Sequence, residues 1–490
     1  MKRLSLVACV LLFSACSSPS NSTPATASAP APAKIPITTK SPEALAHYQK
    51  SVAFFENARP AEGLDELKQA LALDPQFVSA KAFHGGGTPG PDGVKEMEEA
   101  LAAAASLPEA ERLLIEAAVA QRRGEQDKAA SALRSVTELA PGDYQGFLQL
   151  GSELLGEQKY AEAQQAFKKA TELNPSNGGA QNLLGYASLR QGDTAAAIAA
   201  LEQYVRIQPQ EANAQDSLGE ALMGAGRFKD AEAAFQKAAE MAPQFWPAQQ
   251  GIAYARFYAG DWAGGRAALM KGREVATRPI DKLTIDNDLA AAAAAQRDFA
   301  QALKLVDTME KAPGLQLDDT AFVGTVRGLT QMEAGRSREA LASLNAVVAA
   351  ADGGKFTPGV ASAVRPLALR VRAMIEAQMR DAAAAAKTSA ALDADATAQP
   401  NNAQVQSMAH HGRAMLALAK GDAKGALAEL GQCSVEDRIC AWQRVTTAEK
   451  AGDKAAAATA RQQALLIYGR DPVSLVVRSR LGTPAVTRPS

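Results

Sequence analysis

YQGFLQLGSELLGEQKYAEAQQAFKKATELNPSN, residues 144–177, is the stretch on which the fold of this chain turns. Phe147, Leu150 and Leu154 stand three or four apart and so share one face of a first helix, and Ala163, Phe167 and Ala170 do the same on a second. Gly151 and Ala163 are small where the two helices cross, because an interaxial distance near the low end of about 8–10 Å leaves no room for a branched side chain. Pro175 stops the second helix: its ring cannot continue an interior turn and it biases Asn174 away from the helical region. The stretch is one helical hairpin, with Tyr160 at the head of its second helix.

The hairpin recurs. Pro141, Pro175, Pro209 and Pro243 follow one another at steps of 34 residues, as do the pairs Leu150-Gly151, Leu184-Gly185 and Leu218-Gly219. Residues 178–211 and 212–245 copy the template with Ala197 and Ala231 in the place of Ala163. Residues 110–143 and 246–277 are weaker copies, the first with Glu116-Ala117 for the Leu-Gly pair and the second with Thr277 for the closing proline. Upstream, 44–77 fits through Phe54, Leu67, Ala70 and Pro75; downstream, Leu289-Ala290 with Ala302, then turn glycines Gly335, Gly421 and Gly452, mark further pairs. A module that cannot cover its own apolar face must lean on its neighbours, so about eleven such hairpins predict an all-α solenoid.

This pattern closely resembles the tetratricopeptide repeat family. The resemblance implies a superhelix whose first helices line a concave groove, and a non-catalytic protein that binds a protein or peptide segment there. The expected array covers 41–279, with regular repeats at 144–245. Degenerate repeats follow at 280–478 and a disordered tail at 479–490. The groove positions would be Asn182, Tyr186 and Arg190, then Asn213, Asp216 and Glu220, then Gln250, Tyr254, Phe257 and Tyr258. Tyr254, Phe257 and Tyr258 have helical spacing, with Trp246 and Trp262 nearby; such rings either anchor a bound peptide or fill gaps between repeats. The basic clamp by which some relatives seize a C-terminal carboxylate, and the asparagine ladder of glycosyltransferase repeats, are not matched.

One unit is irregular. His84-Gly85-Gly86-Gly87-Thr88-Pro89-Gly90-Pro91 predicts a surface loop, since glycine entropy and two prolines oppose a continued helix. The run also resembles the oxyanion loop of lipases, but no Gly-x-Ser-x-Gly turn accompanies it.

Apolar residues make up 47% of the 490 and aromatics only 5%, so the core is built from Ala and Leu at close helix contacts. With 52 basic and 53 acidic side chains the net charge of −1 supplies no field to draw nucleic acid, and none is expected as a partner. Neither a phosphate-binding glycine loop nor a nucleophile-base constellation is present, which argues against an enzyme and against a cofactor or resident metal. Among the four histidines, His47 falls at a repeat core position, while the adjacent His410 and His411 point about 100° apart on a helix and are expected to be solvated or half-packed.

The first residues are an address. Lys2 and Arg3, the apolar run 4–13 and the small Ser14-Ala15 before Cys16 predict an export signal at 1–15. The junction resembles a bacterial lipoprotein box, which makes Cys16 the lipidated N-terminus; Phe13, where leucine is usual, departs from it, and ordinary cleavage near residues 15–17 is the alternative. By the usual sorting rule Ser17 favours the outer membrane of a Gram-negative cell, so the predicted setting is the periplasmic face of the envelope. Residues 16–40 are rich in Ser, Pro, Ala and Thr and predict a disordered linker, with a reach of roughly 70 Å at about 3.1 Å per residue. Cys433 and Cys440 are left as a pair; an oxidising compartment predicts a disulfide, with a metal site as the rival. A scaffold that holds a partner segment is the functional expectation; a solute-sensing protein with a small-molecule pocket beyond Ala321, or a structural spacer, is the alternative.

Overall fold

The computed structural model describes residues 33–56, 59–434, 436–465 and 469–481. Within them the chain forms 25 α-helices and no strand. The first three pairs are α1 (Pro42–Glu56) with α2 (Pro60–Leu73), α3 (Val78–Gly87) with α4 (Pro91–Ala103), and α5 (Glu109–Arg123) with α6 (Gln126–Leu139). The regular repeats are α7 (Tyr144–Gly156) with α8 (Tyr160–Leu173), α9 (Gly178–Gln191) with α10 (Thr194–Ile207), and α11 (Ala212–Gly224) with α12 (Phe228–Met241). Then come α13 (Trp246–Ala259) with α14 (Trp262–Val275), α15 (Pro279–Ala295) with α16 (Phe299–Glu310), and α17 (Leu317–Glu333) with α18 (Ser337–Asp352). The last are α19 (Pro358–Gln378) with α20 (Ala382–Ala398), α21 (Ala403–Ala419) with α22 (Ala423–Leu430), α23 (Arg438–Lys450) with α24 (Lys454–Leu465), and a single helix α25 (Pro472–Leu481).

Twelve pairs and a lone helix thus stand where about eleven pairs were expected. The pair missing from the sequence reading is α19 with α20. In most pairs the reversal is made by a left-handed glycine, among them Gly192, Gly260, Gly421 and Gly452, but here Arg380 takes that conformation at φ 57°. A search for turn glycines passes over it. Asp193, Asp261, Asp381 and Asp422, each next in the chain after such a turn residue, then cap the second helix by accepting a backbone N–H three residues on.

Helix crossings follow the small-large register. Ala163, Ala197 and Ala231 are fully buried, as are Phe167, Leu201 and Phe235. A Cβ added to Gly151 would lie 2.7 Å from the Phe167 ring, and one on Gly219 would lie 2.6 Å from that of Phe235. Asn174 leaves the helical region at φ −135°, ψ 80°, and Pro175 opens the next turn. First helices of neighbouring pairs pack on one another as well as on their own partners, α9 on α11 and α11 on α13, and so form the inner wall of an α-solenoid.

The glycine run departs from expectation. α3 continues helical through Gly87, and only Thr88–Gly90 form the turn. A Cβ on Gly85 would meet the Gly93 carbonyl at 2.7 Å, so these glycines serve a close crossing of α3 with α4, which outweighs a propensity cost of about 1 kcal/mol each. His47 is also corrected: it is half-buried and bonded to Glu66 at 2.5 Å instead of sitting in the core. His411 is fully buried, and burial together with the Arg370 charge holds its imidazole well below the ordinary range.

Both ends of the proposed linker and tail need correction. Residues 1–32, including Cys16, lie outside the described residues, but residues 33–40 form an extended strap across the early repeats. The backbone N–H groups of Ile35, Thr38 and Lys40 donate to the carboxylates of Asp143, Glu111 and Asp74 at 3.1, 2.9 and 3.2 Å, and Ile35 is buried among Leu114 and Leu148. Composition hid this, because the strap is held by its backbone N–H groups and the Thr38 and Thr39 hydroxyls, and needs only one buried apolar side chain. Residues 479–481 belong to α25 and are not part of a disordered tail; residues 482–490 lie outside the described residues.

Candidate functional site

The inner wall was expected to be open. Instead residues 469–481 lie along it, against α11, α13, α15 and α17. Local chemistry sets their entry. Asp471 accepts from the backbone N–H and hydroxyl of Ser474 at 2.8 and 2.7 Å, and Pro472 occupies the first helical position, so α25 starts sharply at that point. Arg470, immediately before the cap, projects onto the wall.

Arg470 meets a prepared site. Asp216 and Glu220 stand four apart on one face of α11. The guanidinium donates to both oxygens of Asp216 at 2.9 Å each, pairs with Glu220 at 2.6 Å, donates to the Pro247 carbonyl at 3.2 Å, and lies 5.3 Å from the centre of the Phe235 ring. Tyr186 donates its hydroxyl to the other Glu220 oxygen at 2.5 Å. Planar bidentate pairing of this kind is specific to arginine. Burial raises the Asp216 carboxyl even with Arg470 beside it. For Arg470 burial acts to lower the pKa, but the Glu220 and Asp216 carboxylates outweigh it and keep the guanidinium charged.

A second acid lies behind the first. Asp288 on α15 accepts from Tyr254 and Gln250, both at 2.7 Å, and is almost wholly buried. Burial pushes its carboxyl up to about 7 against the pull of those two hydrogen bonds. Tyr254 is therefore no exposed anchor: it is fully buried, and Phe257 packs edge-on against it at 5.9 Å between ring centres. Of the two roles open to the rings, packing between repeats is the one that Tyr254 and Phe257 fill. Tyr258 donates to the Gly469 carbonyl at 2.6 Å and faces the Arg478 guanidinium at 5.6 Å.

The remaining groove positions are also engaged. Arg190 pairs with Glu436 at 3.0 Å, and the same carboxylate accepts from Tyr160 at 2.8 Å. Asn213 reaches the Tyr204 hydroxyl at 3.4 Å; Asn182 is the exception, its buried amide oxygen meeting no donor among the described residues. At the far end of α25, Arg480 pairs with Glu333 of α17 at 2.5 Å. Between α25 and the wall an apolar cleft remains, lined by Ala290, Ala294, Leu329, Met374, Trp442 and Val476.

Cys433 and Cys440 are joined in a disulfide, Cα atoms 6.4 Å apart, so their sulfurs are not two free thiolates for an ion. The neighbouring Asp437 pairs with the buried Arg370 at 2.5 Å and accepts from Ser407 and the Cys440 N–H at 2.6 and 3.0 Å. Burial would raise its carboxyl, but the Arg370 charge and these hydrogen bonds hold it at about 2. Sequence reasoning missed Arg470, Asp288 and Arg480. Arg470 lies 254 residues from Asp216, beyond the recognisable repeats, and carries no signal of its own.

Comparison with known proteins bears on the repeats. Residues 148–212 and 212–245 each match the tetratricopeptide repeat. Similar solved structures include MamA from Desulfovibrio magneticus RS-1, 23% identical over 34% of this chain and 94% of that one at a TM-score of 0.32. A tetratricopeptide repeat protein from Parabacteroides merdae is 13% identical over 59% of this chain and all of that one, TM-score 0.36. YrrB, described as having an unusual peptide-binding site, is 18% identical over 37% of this chain and 93% of that one, TM-score 0.31. No curated protein matches the chain. The register of small and large side chains, the paired helices that it builds and the two matched segments identify residues 148–245 as tetratricopeptide repeats within an all-α solenoid.

Proposed function

We propose that this chain is a non-catalytic scaffold that takes up a segment of a partner protein on its inner wall. The observation that carries this is the seating of residues 469–481. The wall holds a stretch of polypeptide there by side-chain recognition through Asp216, Glu220 and Tyr258, together with burial of Leu475, Val477 and Leu481. We further propose that the scaffold works at the periplasmic face of the bacterial envelope after removal of residues 1–15, with Cys16 lipidated and the outer membrane as its anchor. The Cys433–Cys440 disulfide supports an oxidising compartment. Crosslinking in intact cells, followed by identification of captured proteins, tests the scaffold, and retrieval of none counts against it. Cys16→Ser tests the anchor: the chain should move from the membrane to the soluble fraction.

A second reading, a small-molecule sensor, draws support from the apolar cleft under α25, which could take an aliphatic solute. Protection of Trp442 fluorescence by such a solute, at concentrations that leave partner capture unchanged, would favour it.

A further inference from the structure

We propose that the Cys433–Cys440 disulfide is a thiol-exchange site. A small thiol that carries a carboxylate enters the cavity beside the bond, is held by Arg444 and attacks Cys433 Sγ, with Cys440 as the leaving thiolate. This activity lies outside the scaffold reading and does not depend on it.

Two features separate this bond from a buried staple. One sulfur can be reached. Cys433 is half-buried and, with Ser434, Arg444 and Gln463, lines a cavity of about 280 Å³ beside α23 and α24, whereas Cys440 is 1% exposed. That volume falls just below the range of about 300–1,000 Å³ for small-molecule sites, so the attacking thiol is a small one. Arg444 is half-buried on the cavity wall and makes no ion pair among the described residues. Asp437, on the same wall, is already committed to Arg370, Ser407 and the Cys440 N–H. The cation left over attracts an anionic thiol, which the net charge of −1 on the whole chain would not do. The other sulfur sits where a thiolate is stabilised. Cys440 is the third residue of α23, inside the first turn, where the helix dipole favours negative charge. The Arg370 guanidinium lies 3.4 Å from Cys440 Sγ, and its buried Nε has no acceptor among the described residues. Both influences lower the pKa of a thiol, and a thiol of low pKa leaves faster. In the exchange the incoming thiolate forms a bond to Cys433 Sγ, the Cys433–Cys440 bond breaks, and its electron pair departs on Cys440 Sγ beside Arg370. One thiolate enters and one is released, so charge is conserved. A second thiolate that attacks the incoming sulfur frees Cys433; two thiols are then oxidised to their disulfide and the cysteine pair is reduced by two electrons.

The test treats the folded full chain with mercaptopropionate or with mercaptoethanol, which lacks the carboxylate, then quenches with acid and maps the adducts by mass spectrometry. Per unit of thiolate, mercaptopropionate should react about fivefold faster, the upper end of what a part-exposed ion pair supplies. The mixed disulfide should be found on Cys433, with Cys440 free. Arg444→Gln should bring the two rates together, and Arg444→Lys, which keeps the charge, should restore most of the difference. Equal rates in the unaltered chain, an adduct on Cys440 or none on Cys433, or reduction only after the chain is unfolded by denaturant each overturns the proposal, as does a preference that survives in folded Arg444→Gln. Should Arg444→Gln fail to fold by circular dichroism, salt decides on the unaltered chain. At an ionic strength of about 1 M, where charges are screened over about 3 Å, most of the preference for mercaptopropionate should vanish, and a preference untouched by salt overturns the part given to Arg444.

Discussion

Replacing Asp288 by asparagine should change how the middle of the array responds to pH. The Asp288 carboxyl titrates at about 7 in the folded chain, against an ordinary value of 3.8, chiefly because it is buried behind Tyr254 and Gln250. Between those two pH values the folded state holds a proton that the unfolded state has released, so stability falls as pH rises through the window and is fully present only below it. A gap of about three units at 1.36 kcal/mol each corresponds to about 4 kcal/mol between pH 4 and 7.5. Asp216, also raised by burial, contributes in the same direction. Asp437, held at about 2, contributes oppositely but only in the window between about 2 and 4. A solenoid does not unfold as one unit, so a single global midpoint is the wrong readout. Native-state hydrogen exchange of α13 and α15, corrected for intrinsic rates, isolates the region. Asp288→Asn should flatten the loss of protection that the unaltered chain shows from pH 4 to 7.5. If the two chains lose protection in parallel, Asp288 is not the titrating group and the reasoning fails.

Other expectations are more local. Gly151→Ala forces a Cβ to 2.7 Å from the Phe167 ring and should cost about 1–3 kcal/mol, whereas Gly156→Ala, with open space around its Cβ, should be neutral or slightly stabilising; denaturant titration of the two variants compares them directly. Arg380→Gly relieves a left-handed arginine at φ 57° and should stabilise the α19–α20 pair by about 1 kcal/mol, read as slower exchange there. Reduction of the Cys433–Cys440 bond, or Cys433→Ser with Cys440→Ser, removes a short-loop constraint worth about 2–3 kcal/mol; protection should fall in α22 and α23 and not in α7–α12. Loss spread evenly over the array would contradict that assignment.

Much of the architecture was legible because it is local. A 34-residue register of Gly151, Ala163 and Phe167 and its copies sets which faces of adjacent helices meet, and proline at Pro175 or Pro209 sets where each pair ends; both depend on residues within one hairpin of each other. Where the local rule was met by an unusual residue, the reading slipped. Arg380 does the work of glycine, and Gly85 serves a close crossing instead of a loop.

The amino-acid sequence by itself determined the repeat unit, the all-α stacking and the disulfide pair, since periodicity, turn chemistry and cysteine arithmetic act over short distances along the chain. Tertiary structure alone decided what faces the inner wall. Asp216 and Glu220 read as groove positions open to a partner until Arg470, 254 residues beyond Asp216, is brought against them. Tyr254 reads as an anchor until Asp288 and the neighbouring rings enclose it. The curvature that closes the array sums small rotations over many repeats. No single repeat encodes where that sum will place the end of the chain.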